Sequence, residues 1–160
     1  MKKNLFLVCL FMFGTLASCQ CSSKKSADNA VVNATETPVP LGDPFILLHD
    51  GVYYAYGTHS NKGIEFYTSD DLLTWKYGGL ALNKEDSWAD RWFWAPEIYF
   101  VNGKFYMYYS ADEHICVAVA DSPTGPFVQD KKEPMIADEK CIDNSLFIDD
   151  NGTPYLSFVR

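Results

Sequence analysis

Residues 41 to 160 predict an all-β chain built from repeated units of about four strands, the pattern of a β-propeller, and three observations carry that expectation. First, three segments share one layout of apolar strand, tight glycine turn and aromatic strand: "FILLHDGVYYAYGT", "IYFVNGKFYMYYSA" and "LFIDDNGTPYLSFV". Second, the turn glycines Gly51, Gly103 and Gly152 recur at intervals of 52 and 49 residues, a period that suits propeller blades. Third, helical periodicity is nowhere sustained, while Tyr, Phe and Trp make up 16% of the chain and suit packed sheet faces.

Residues 1 to 18 have the layout of a secretory signal: two lysines, an apolar run from Leu5 to Phe13, then small residues. The run is too short to span a bilayer. Leu16-Ala17-Ser18-Cys19 resembles the lipobox of bacterial lipoproteins, which implies cleavage before Cys19 and its acylation as a membrane anchor. Gln20, rather than Asp, follows it, which resembles an outer-membrane address. Residues 19 to 40 are small, polar and turn-forming and read as a flexible tether. Folding sequence then runs from Leu41 to Arg160, a length for one small domain.

Asp and Glu outnumber Lys and Arg by 21 to 13, for a net charge of −8. A nucleic-acid partner would require a basic face, so that class is excluded, and membrane contact is left to the lipid. With Cys9 in the signal and Cys19 acylated, Cys21, Cys116 and Cys141 remain; a Cys116–Cys141 bridge and two buried thiols both stay open. No spacing looks like a zinc site.

The Asp-Gly and Asn-Gly pairs in the turns of all three units are strong hairpin signals. Past its hairpin, unit one continues as "GIEFYTSDDLLTWKY" and unit two as "HICVAVADSPTGPFVQ". Each supplies an alternating strand, a Ser-Asp or Asp-Ser turn and an aromatic-bearing outer strand, hence four strands per unit. First strands of propeller blades line the central axis, so residues just ahead of them gather at one mouth of the channel. Asp43 is expected two residues before the first strand of unit one, Glu97 immediately before that of unit two, and Asp143 three residues before that of unit three. Converging carboxylates raise and separate one another's pKa values, the usual route to acid and base roles.

At these residues "GDPFILLHDGVYYAYGT", "WAPEIYFVNGKFYMYYSA" and "IDNSLFIDDNGTPYLSF" resemble the first three blades of glycoside hydrolase family 43, across essentially all of residues 41 to 160. The resemblance implies a five-bladed propeller, here truncated to roughly three blades, and inverting hydrolysis of arabinose- or xylose-containing plant polysaccharides or oligosaccharides. It implies Asp43 as the general base that activates water and Asp143 as the carboxylate that tunes the acid's pKa and orients it. Glu97, in the Trp94-Ala95-Pro96-Glu97 motif characteristic of that family, reads either as a substrate contact or as a support of the pocket's hydrogen-bond network, and Trp94 as an aromatic substrate contact, with Trp92 a further aromatic near the same mouth. His59 and His114 read as surface or turn residues.

No cofactor is required, and the resemblance leaves room for a structural ion in the channel of a full-length protein. The general acid, a Glu of the fourth blade, is absent, since no Glu lies between Asp143 and Arg160. The chain is therefore expected to be a fragment, inactive alone. A non-catalytic glycan-binding propeller lipoprotein is the alternative from another class, and a sister-family hydrolase or phosphorylase shares the fold.

Overall fold

The computed structural model describes residues 38 to 160. The signal (1 to 18), Cys19 and the tether as far as residue 37 lie outside the described residues, as does Cys21. What is described is all-β: three antiparallel sheets, each a simple meander, with one 3-10 turn at Lys84–Asp86. The first sheet holds β1 (Gly42–His49), β2 (Val52–Thr58), β3 (Gly63–Ser69) and β4 (Lys76–Asn83). The second holds β5 (Trp94–Val101), β6 (Lys104–Ala111) and β7 (His114–Ala120), and the third β8 (Ile142–Ile148) and β9 (Pro154–Val159).

The turns follow from backbone sterics. Asp50-Gly51 and Asn102-Gly103 both have positive φ at each residue (48° and 80°, 50° and 78°), as a two-residue hairpin that matches strand twist requires. His49 accordingly faces Val52, and Val101 faces Lys104. The third hairpin departs from the expected pattern. The Asp149 N–H reaches the Thr153 carbonyl at 3.0 Å and the Gly152 N–H reaches the Asp149 carbonyl at 2.9 Å. Only Gly152, at φ 82°, is left-handed there, so "DDNGT" is a longer turn closed by a glycine bulge.

The β6–β7 turn has the two-residue form without any glycine, at Asp112 (φ 44°) and Glu113 (φ 60°). Ion pairs flank both residues: Arg91 forks onto Asp112 at 2.9 and 3.1 Å, and Lys140 pairs with Glu113. The Arg91 contact holds the Asp112 carboxyl below its ordinary value.

Unit two does not complete a fourth strand, against expectation. Past β7 a lone bridge, Val119 to Val128, stands where the outer strand would run. Pro123 and Pro126 remove two ladder donors from that stretch. The chain docks on the first sheet instead: the Phe127 N–H bonds the Ala81 carbonyl of β4 at 2.8 Å, and a Cβ on Gly125 would collide with that same carbonyl. Phe127 is thereby buried in the main core with Tyr56, Ile64 and Leu82 of the first sheet and Ile98, Phe105 and Met107 of the second.

Cys116 and Cys141 are both buried and both free thiols. Burial pushes the Cys116 thiol up to about 12. The third sheet is covered less: Phe147 is 64% exposed and Tyr155 54%.

Candidate functional site

The first strand of every sheet carries the same irregularity. Register slips by one residue between Gly42 and Phe45 in β1, between Trp94 and Glu97 in β5, and between Ile142 and Ser145 in β8. Each slip is a β-bulge that re-aims side chains. The residue that opens each bulge is left-handed: Asp43 at φ 45°, Ala95 at 42° and Asp143 at 54°. Aspartate tolerates that region better than most residues. Pro44 and Pro96 take the next place, where the broken ladder makes no demand for a donor.

This corrects the sequence reading in two respects. Asp43, Glu97 and Asp143 lie inside β1, β5 and β8 rather than ahead of them. Glu97 is also not the counterpart of the two aspartates. Ala95 is, and Glu97 matches Phe45 and Ser145. The alignment of Asp43-Pro44-Phe45 with Ala95-Pro96-Glu97 could have been found from the shared proline, but the apolar runs drew the register instead.

The three bulges nevertheless meet. Together they wall a cavity of about 310 Å³ that contains Asp43, Glu97 and Asp143. Hydroxyls at the ends of second strands hold them. Thr58, opposite Gly42 in β2, donates to Asp43 Oδ2 at 3.1 Å and accepts from the Ala95 N–H at 3.1 Å. Ser110, opposite Trp94 in β6 and fully buried, accepts from the Asp143 N–H at 3.2 Å. In both cases a hydroxyl on one sheet fixes the left-handed residue of the next.

Glu97 has its own support. The Tyr99 hydroxyl donates to Glu97 Oε2 and accepts from the Leu146 N–H of β8 at 3.1 Å. Burial first, and then the bond to Glu97, raise the Tyr99 pKa above the ordinary tyrosine value. Asn144, in the place that prolines fill in the other two bulges, is 4% exposed, and neither of its amide atoms has a hydrogen-bond partner among the described residues.

Trp94 does not share this cavity. It lines a separate cleft of about 140 Å³ with Trp92, Phe93, His59 and Thr58, the residue whose hydroxyl bonds Asp43. The Trp94 and Trp92 rings stack at 5.7 Å with planes 10° apart, and the Arg91 guanidinium lies 4.6 Å from the Trp92 ring centre. His59 Nδ1 sits 2.6 Å from Glu65 Oε2. Among the described residues no group of three or more His, Cys, Asp or Glu side chains could hold a metal ion. Sequence reasoning missed Thr58, Ser110, Tyr99 and Asn144. The first three act across sheets, and no local pattern marks them.

Comparison with known proteins agrees with the fold. Residues 35 to 160 match the model of the glycosyl hydrolases family 43. The chain is 40% identical to a xylosidase/arabinosidase 43A of Humicola insolens, over 76% of this chain and 44% of that protein. It is 27% identical to the extracellular exo-α-(1→5)-L-arabinofuranosidase ArbA of Cellvibrio japonicus, over 75% of this chain and 40% of that one. Among solved structures, an endo-1,4-β-xylanase from Bacteroides thetaiotaomicron superposes with a TM-score of 0.72 at 51% identity, covering 76% of this chain and 43% of its own. The chain thus spans less than half the length of these relatives. Its three sheets correspond to part of a five-bladed propeller, and with its family match covering residues 35 to 160, the chain belongs to glycosyl hydrolases family 43.

Proposed function

We propose that this chain is part of an inverting glycoside hydrolase that acts on arabinose- or xylose-containing plant polysaccharides or oligosaccharides. The observation that carries the reading is the convergence of Asp43 and Asp143, at matching left-handed bulge positions, in one cavity with Glu97. Relatives named as xylosidases, arabinofuranosidases and arabinanases support the substrate class.

In this reading Asp43 is the general base. Thr58 engages its Oδ2, which leaves Oδ1 to take a proton from water as that water attacks the anomeric carbon opposite the leaving group. An inverting geometry keeps base and acid about 6.5–9.5 Å apart to admit the water. Asp143 tunes and orients the acid, a Glu supplied by sequence outside these 160 residues, so that these residues alone do not hydrolyse glycosides. Glu97 takes a sugar hydroxyl, and the Trp94 face receives a ring of the substrate in the separate cleft. The chemistry needs no cofactor. Export with acylation at Cys19 would hold the enzyme at a membrane surface, the outer membrane by the residue that follows Cys19.

The test is to read the gene past the Arg160 codon, express the whole product and assay it on aryl α-L-arabinofuranosides and β-xylosides. Hydrolysis that falls about 10²- to 10⁴-fold in Asp43→Ala is the expected result. Binding of xylo- or arabino-oligosaccharides without turnover would replace this reading with a non-catalytic glycan-binding propeller.

A further inference from the structure

Tyr99 lies outside the cavity lining, in a hollow with Tyr108 and Leu146, and touches residues of all three sheets. Its ring centre lies 6.0 Å from that of Phe45, two residues past Asp43 in β1. On its own sheet it meets Tyr108 edge-on at 6.0 Å, and its hydroxyl donates to Glu97. From the third sheet it accepts the Leu146 N–H, three residues past Asp143.

The hydroxyl has one proton to give. With the Leu146 N–H filling an acceptor site on its oxygen, that proton is directed at Glu97 Oε2. Oε2 is therefore engaged, and Oε1 is the oxygen left for a ligand. Packing against Phe45 and Tyr108 would be served equally well by phenylalanine, so the ring does not account for the hydroxyl. Even partly buried, a phenolic O–H favours finding partners, and here both partners belong to strands that carry cavity carboxylates.

We propose that Tyr99 is a positioning residue of the cavity: its hydroxyl fixes the orientation of the Glu97 carboxylate and ties it to the strand that carries Asp143. The inference rests on the reading of Glu97 as a substrate contact for its effect on hydrolysis, but not for the bond itself. A charged hydrogen bond of this kind has leverage of about tenfold or more on whatever Glu97 binds.

Two measurements test it separately. In the 160-residue chain with ¹³Cζ-labelled tyrosine, Glu97→Gln should move the NMR titration of Tyr99 down toward the ordinary tyrosine value, because a carboxylate acceptor has been replaced by a neutral one. An unmoved titration would overturn the proposal whatever the protein hydrolyses. In the whole gene product, Tyr99→Phe should lower kcat/KM on aryl glycosides about tenfold or more while Tyr108→Phe, which removes a neighbouring tyrosine hydroxyl that makes no bond to Glu97, leaves it within twofold. Equal losses in the two variants, or none in Tyr99→Phe, would show that the Tyr99 hydroxyl has no special hold on Glu97 and overturn the proposal. If the whole product hydrolyses no glycoside, the proposed function fails, and the titration still decides the Tyr99–Glu97 pair.

Discussion

Thr58 holds Asp43 from the strand beside it, its hydroxyl donating to Oδ2 at 3.1 Å while the same oxygen accepts the Ala95 N–H of the next sheet. One small side chain thus orients a carboxylate and anchors a backbone.

Replacing it tests that double duty. Thr58→Val keeps the shape but removes both bonds and strands the partly buried Ala95 N–H. Urea denaturation of the chain should show a loss of about 1 kcal/mol, with Thr58→Ser restoring most of it. A Thr58→Val chain as stable as its parent would mean that the hydroxyl is incidental.

At Asp143 stability and chemistry should separate. The residue is left-handed at φ 54°, and its bond to Ser110 runs through the backbone N–H, so Asp143→Gly keeps that bond and eases the conformation. The chain should be no less stable than its parent, whereas the whole gene product should lose hydrolysis. Denaturation curves and a glycosidase assay read the two halves, and a strongly destabilised chain would contradict the first.

Asn144 is the misfit of the three bulges, since it buries an amide with no partner among the described residues where Pro44 and Pro96 bury none. Asn144→Pro copies the other two sites and should raise stability by about 1 kcal/mol. Residue 143 already has the backbone that precedes both prolines. A loss of stability would show that the amide is held by a group beyond these residues.

Alkaline pH should weaken the fold through Cys116. Its thiol is pushed from an ordinary 9.0 to about 12 by burial, so the folded state keeps a proton that the unfolded state releases first. The stabilisation is full below about pH 9 and declines as pH rises toward about 12. Buried Tyr56 and Tyr109, also shifted upward, add to the decline at higher pH. Unfolding free energy measured from pH 7 to 11 should be flat and then fall, with a shallower fall in Cys116→Ala. The same burial predicts that iodoacetamide leaves Cys116 unmodified at pH 8 until the chain is unfolded.

Much of this architecture was written in local pattern. Asp50-Gly51 and Asn102-Gly103 announced their hairpins because two consecutive residues of positive φ leave few sequence choices, and the apolar runs around them located the strands. Asp112-Glu113 forms the same turn with Glu113 where glycine would be expected, flanked by ion pairs to Arg91 and Lys140 from elsewhere in the chain, and so left little local trace. The outer strand of unit two was expected from its resemblance to unit one; two prolines and a docking contact on Ala81 redirected it. Asp43, Glu97 and Asp143 do line one cavity, yet their register was misread. A bulge adds one residue without changing the composition around it. Thr58 and Ser110 could not be singled out, because hydroxyls that close strands are common and their partners sit a whole unit away.

Those two hydroxyls also tie neighbouring sheets together. Ala95 is bonded by Thr58 and Asp143 by Ser110, so each of these bulges takes one of its bonds from the preceding sheet. A chain whose sheets had each folded but not yet met would carry every carboxylate and no aligned pair. The alignment of these carboxylates is then a property of the seams between sheets as much as of the strands that carry them.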